Sequence, residues 1–213
     1  MAKIITIAGI EKCDFTYYLS EILKKQGNTV VVVDNSMEGD LWNSVQKNYT
    51  TTPQPYKISN IGYLRNVEIN LDAVDEIDYL ICYLGYNACT DFLQCSDIVF
   101  LMPGYTMKSI QACKEMMEDI AEKTNTQVIL REYANPKITD KSVAQALGLR
   151  MEEIAGHISL DVQDYSLYYA LLYNGAQSPK YVSSDMKEAL TYAMQVITDA
   201  NPKELRKMMK KAM

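Results

Sequence analysis

Four consecutive valines, Val30–Val33, running into Asp34 constrain this chain more than any other feature. A strand that is apolar at every position is covered on both faces, as in a parallel sheet with helices on each side. The residues before it agree. Lys3–Ala8 is a β-branched run that stops at Gly9. Phe15, Tyr18, Leu19, Ile22 and Leu23 recur with helical spacing. Asp14 stands where a helix cap is expected, with Thr16 in the first turn. Gly27-Asn28 closes that helix, because glycine meets no steric penalty in the left-handed C-cap conformation. Lys3 to Asp40 therefore reads as a βαβ unit, with Thr29–Val33 as its second strand. Its first loop lies at the carboxyl end of the first strand, where open α/β sheets bind ligands.

The chain has 213 residues, enough for one α/β domain with a full core. Its net charge of −6 argues against a nucleic-acid binder that uses its whole surface, while leaving room for a local basic patch. The N-terminus runs straight into a strand without a signal peptide, and no apolar run approaches the ~20 residues of a membrane span. The five cysteines (Cys13, Cys82, Cys89, Cys95 and Cys113) form no CxxC pair, and His157 is the only histidine. A zinc site is not expected, and free thiols without an export signal point to the cytoplasm. Cys13 differs from the other four, since a helix N-terminus lowers a thiol pKa.

Further elements follow in order. Leu41–Tyr49 reads as a short helix, Thr50–Tyr56 as a loop, Ile61–Ile69 as a strand suited to a sheet edge, and Asp72–Ile77 as a short helical approach. Asp78–Tyr83 and Asp97–Met102 read as buried strands and Ser109–Lys123 as a helix. Thr126–Leu130 is a strand followed by Arg131-Glu132-Tyr133. Lys137–Leu147 is a helix that Thr139 or Asp140 can cap, and Ile154–Ser159 is a last strand. Asp161–Asn174 is rich in Tyr and Leu and ends at Gly175, Ser183–Thr198 is a helix, and Asn201–Met213 a basic one. Residues 1–200 form one α/β domain and 201–213 a C-terminal amphipathic helix.

In that last helix Pro202 suits the first position. Leu205, Met208, Met209 and Ala212 form one narrow stripe. Lys203, Arg206, Lys207, Lys210 and Lys211 cover the remainder, with Glu204 as the only acid. This pattern suits an anionic membrane surface or a partner groove, or else a solvated terminus. Tyr17, Tyr18, Tyr165, Tyr168, Tyr169 and Tyr173 lie at helical spacing, as amphipathic packing or as protein-contact surface. His157 reads as a core or rim residue.

Two motifs carry a resemblance. Asp34-Asn35-Ser36-Met37-Glu38-Gly39-Asp40 resembles the Asp-x-Asp-Pro-Gln-Gly-Asn segment of the ParA/MinD family of P-loop ATPases. Asp34 and Gly39 match and Asp40 replaces the final Asn. Gly9-Ile10-Glu11-Lys12-Cys13-Asp14-Phe15-Thr16 stands at the place of KGGxGK[ST]. Aligning the helices puts Lys12 on the phosphate-binding lysine and Cys13 on the magnesium-binding hydroxyl, with the loop roughly three residues short and no second lysine. Element order is similar from about residue 3 to 198. The strand matching DYIIIDTPPG ends in Tyr83, so the Walker B carboxylate is absent. The family's base-reading Asn is missing too, although Asn135 is close by.

The resemblance implies a doubly wound, mainly parallel sheet. It implies ATP or ADP with magnesium as cofactor if any binds, through Gly9, Lys12, Cys13, Asp14, Thr16 and Gly39. Asp34 is either a water-positioning carboxylate or a cap or turn residue. A nest of backbone N–H groups needs its glycines, and Glu11 and Asp14 would face the phosphate. The expected protein is thus a non-hydrolysing or weakly nucleotide-binding factor. It would act through protein contacts, like the TadZ/CpaE branch that places pilus and secretion assemblies, and peripherally at the inner membrane surface. A working ATPase cycling between monomer and homodimer and a DNA-associating partition factor are the alternatives.

Overall fold

The computed structural model describes residues 2–45, 56–58, 61–67, 76–132, 137–175 and 177–213. The strands are β1 (Lys3–Ala8), β2 (Val30–Asp34), β3 (Tyr56–Ile58), β4 (Ile61–Arg65), β5 (Tyr79–Gly85), β6 (Ile98–Leu101), β7 (Asn125–Arg131) and β8 (Ile154–Ile158). The helices are α1 (Asp14–Lys25), α2 (Asp40–Val45), α3 (Thr90–Cys95), α4 (Met107–Asp119), α5 (Asp140–Leu147), α6 (Val162–Asn174), α7 (Ser184–Thr198) and α8 (Pro202–Ala212). The strands form a single sheet in the order β3-β4-β2-β5-β1-β6-β7-β8. Every neighbouring pair is parallel except β3 with β4.

Side chains alternate across the sheet, and both faces are apolar. Ile5, Ile7, Val30, Val32, Ile81, Phe100 and Ile129 pack in one core with residues of α1, α6, α7 and α8. Ile4, Ala8, Val33, Leu80, Val99, Leu101 and Leu130 pack in the other with residues of α3, α4 and α5. The chain turns from β1 toward β2 on one side and from β6 toward β7 on the other. The carboxyl ends of β1 and β6 thus form the topological switch point, a ligand-binding position in open α/β sheets.

Several expectations shift. The Ile61–Ile69 strand is β4, ends at Arg65, and is not an edge, because β3 pairs outside it. Helix α2 ends at Val45 among the described residues; residues 46–55 and 68–75, and Asn135, lie outside them. Helix α4 begins at Met107, two residues earlier than expected, because the Thr106 side chain accepts from the Ser109 N–H. Thr139, not Asp140, caps α5. Helix α3 has no counterpart in the sequence reading. The apolar stripe of α8 is not free: Leu205, Met209 and Ala212 are buried in the core shared with α1 and α7. Two side chains of the α1 end, Lys25 Nζ and Gln26 Nε2, donate to the Ala212 and Met208 carbonyls at 2.7 and 3.0 Å.

Candidate functional site

Where β1 ends, Gly9 turns the chain with φ +80°. Its N–H donates to the Gly85 carbonyl at 2.7 Å, and its own carbonyl accepts from Ser109 Oγ at 3.2 Å. A β-carbon here would stand 2.3 Å from Cys113 Sγ. Glycine is therefore required twice, for the backbone angle and for the close approach of α4.

The loop that follows is closed on itself. Tyr83, at the place of the missing carboxylate, is buried, and its hydroxyl reaches the carbonyls of Ile10 at 3.1 Å and Glu11 at 2.6 Å. Burial pushes the Tyr83 phenol well above its ordinary pKa, so it remains a donor. A phosphate-binding nest turns N–H groups inward. Here two carbonyls face a protein hydroxyl instead.

Lys12 is also occupied. Its Nζ lies 2.5 Å from Glu132 Oε1 and 5.3 Å from the centre of the Tyr165 ring. On the other flank Glu11 pairs with Lys108 at 3.0 Å, and Lys108 lies 5.0 Å from the Tyr86 ring. Between the β1–α1 and β6–α4 connections a cleft of about 260 Å³ remains, bordered by Glu11, Tyr86, Gly104, Thr106, Lys108 and Glu132.

The start of α1 differs from expectation in two respects. Cys13, not Asp14, occupies the N-cap position and makes no side-chain cap. Its thiol is fully buried, and burial pushes its pKa well up, with the charges of Asp14, Asp34 and Asp40 adding to the effect. Desolvation outweighs the helix terminus, so the expected lowering is overturned. Asp14 is the first helical residue. Its Oδ1 accepts from the Phe15 N–H at 2.9 Å and its Oδ2 from Arg131 Nη2 at 2.7 Å, an ion pair without solvent exposure. Thr16 is buried, and its Oγ1 has no hydrogen-bond partner among the described residues; the same holds for Arg131 Nε and Nη1.

Asp34 makes turn and cap contacts. Its Oδ1 accepts from the Ser36 N–H at 3.0 Å and Ser36 Oγ at 2.6 Å, and its Oδ2 from the Trp42 N–H at 2.8 Å in the first turn of α2. Arg65 Nη1 lies 3.5 Å away. Burial raises the Asp34 pKa, partly offset by those hydrogen bonds and by Arg65. Gly39, at φ +70°, leaves room for the same guanidinium: a β-carbon would fall 1.9 Å from Arg65 Nη1. The matching Asp34…Gly39 segment thus anchors α2. Asp40 accepts from the Tyr168 hydroxyl at 3.1 Å, tying α2 to α6.

The structure therefore brings Gly9, Lys12, Cys13 and Asp14 together, buries Thr16 beside them, and sets Asp34 and Gly39 in the neighbouring connection. Sequence reasoning did not identify Glu132 as the partner of Lys12, Arg131 as that of Asp14, or Lys108 as that of Glu11. Glu132 and Arg131 are consecutive at the end of β7, a place visible only once β7 is known to lie two strands from β1. His157 sits outside this site, its Nδ1 3.4 Å from Asp140 Oδ2 and its Nε2 3.3 Å from the Tyr105 hydroxyl. Among the described residues no group of three or more His, Cys, Asp or Glu side chains is placed to hold a metal ion.

No protein-family profile and no curated protein matches the chain. Solved structures do. A ParA family ATPase from Chlorobium tepidum TLS superposes with a TM-score of 0.66 at 13% identity, over 92% of this chain and 98% of that one. A chain of the MinC:MinD cell division protein complex from Aquifex aeolicus also gives 0.66 at 13% identity, over 94% and 98%. An ATP complex of McdA from Cyanothece gives 0.59 at 12% identity, over 94% and 97%. The chain has the ParA/MinD-like α/β fold.

Proposed function

We propose that this chain is a non-hydrolysing counterpart of the ParA/MinD ATPases that works by protein contact, positioning or regulating a larger assembly such as pilus, secretion or partition machinery. One observation carries the reading: the β1–α1 loop spends its groups on the protein. Tyr83 holds its carbonyls inward and Glu132 holds Lys12. Hydrolysis would further need a magnesium-binding hydroxyl where Cys13 is buried and a carboxylate where Tyr83 stands. The contact surface is supplied by exposed apolar side chains beyond the carboxyl ends of the strands. Met37 precedes α2, Met107 opens α4, and Val162, Tyr169 and Tyr173 lie along α6. Such residues suit a protein interface, and the likeness to a MinC:MinD complex supports one.

The test is calorimetric titration of ATP and ADP, with magnesium, into the purified protein, alongside a phosphate-release assay. The expected result is no turnover and binding no tighter than millimolar. A micromolar Kd that weakens in Lys12→Ala would overturn the proposal in favour of an active ATPase of this fold.

A second reading rests on α8. Its five cations are exposed and, among the described residues, in no ion pair, while its apolar stripe is buried. An anionic membrane surface would then be held by charge alone, at about 1 kcal/mol per cation near the surface. On this reading the protein is cytoplasmic and peripheral to the inner membrane face. Sedimentation with anionic vesicles, lost at high salt and in Lys207→Glu/Lys210→Glu, is the expected outcome. Binding to DNA but not to vesicles would favour a partition role instead.

A further inference from the structure

We propose that Glu132 is a built-in stand-in for the anionic ligand of the β1–α1 loop: its carboxylate occupies Lys12, and a phosphoryl group can enter only by displacing it. This deepens the function proposed above and rests on it, since it names what keeps the site silent.

Three observations converge. First, the Lys12–Glu132 contact joins residues 120 positions apart and is only one-fifth to one-third exposed on its two sides, with the Tyr165 ring on the lysine's other flank. It is the tightest partner Lys12 has, and an anion approaching that ammonium meets a carboxylate first. Second, Glu132 has φ +131°. The other non-glycine residues with positive φ among the described ones are Asn66 and Asp199, types that tolerate the left-handed region. A residue with a long side chain adopts such an angle only where its surroundings hold it, and such residues gather at ligand clamps. The holds are visible: the Glu132 N–H donates to the Ile158 carbonyl at 3.1 Å, and its carboxylate grips Lys12. Third, the preceding residue does the complementary task, Arg131 pairing with Asp14 in the first turn of α1. Two consecutive residues at the end of β7 thus engage Lys12 and Asp14 on either side of the start of α1.

The experiment compares wild type with two variants by calorimetric titration of magnesium-ATP and of inorganic pyrophosphate, and records melting temperatures. Glu132→Gln keeps the side-chain shape and removes the charge. Glu132→Gly removes the carboxylate and also the β-carbon that opposes the backbone angle. Both variants are expected to bind ATP and pyrophosphate about tenfold more tightly than wild type or better, the gain disappearing when Lys12→Ala is added to Glu132→Gln. Glu132→Gly is expected to melt no lower than Glu132→Gln, the reverse of an ordinary loop position. Folded variants as silent as a silent wild type would overturn this inference and leave the non-hydrolysing reading standing. Micromolar binding by wild type, unchanged in Glu132→Gln, would overturn both.

Discussion

Tyr83 sets the character of the loop above it. A hydroxyl has one proton, and here it serves two carbonyls, that of buried Ile10 and that of exposed Glu11. Tyr83→Phe removes the donor from the buried Ile10 carbonyl and is expected to cost about 1–3 kcal/mol, readable as a lowered urea midpoint. The thiols give a second prediction at this scale. Cys13, Cys82 and Cys113 are buried, with burial raising each pKa; burial also pushes the Cys95 thiol up to about 11. A raised pKa leaves little thiolate at pH 8. The folded protein should therefore react with a disulfide reagent chiefly at the partly exposed Cys89, with Cys95 joining as pH rises toward 11 and all five reacting in denaturant. At this scale the likeness to the P-loop segment drew attention to Gly9, Lys12, Cys13 and Asp14. Their partners were not legible, because Lys12–Glu132 and Asp14–Arg131 are made by strand order, which local pattern does not encode.

Among the elements, α8 changes most between chain and fold. Its stripe was plain in the spacing of Leu205, Met208, Met209 and Ala212, but spacing does not say what covers a stripe. The answer is α1 and α7. Leu205→Ala is expected to destabilise the protein by about 2–3 kcal/mol, whereas charge reversals on the exposed side of α8 should leave the urea midpoint nearly unchanged. Removing residues 203–213 would strip apolar cover from α1, so surface-charge variants separate docking from folding where truncation cannot. Strands β1, β2, β5 and β6 were readable because a doubly covered strand is apolar at nearly every position, and β7 from its apolar second half. Helix α3 was not: it spans six residues and buries only Phe92 and Leu93, too short for a 3.6-residue period to declare itself. That Asp34 accepts from the Trp42 N–H was not legible either, because the two lie eight residues apart.

At the scale of the whole molecule, α8 carries five cations and one acid, a net +4 on a chain of net −6, so the rest of the protein carries about −10. The sheet separates α8, in the layer with α1, α6 and α7, from the layer of α3, α4 and α5. Despite a sequence pI near 4.9, the protein is therefore expected to be retained on a cation exchanger at neutral pH and low salt, and Lys207→Glu/Lys210→Glu to flow through. Because α8 packs on α1 and α7, its charge is expected to hold one place relative to the body and to give the molecule a permanent electric dipole. Near a polyanionic surface such a body feels a torque before it feels contact. It is expected to arrive already turned, with the α3–α5 layer facing away from that surface.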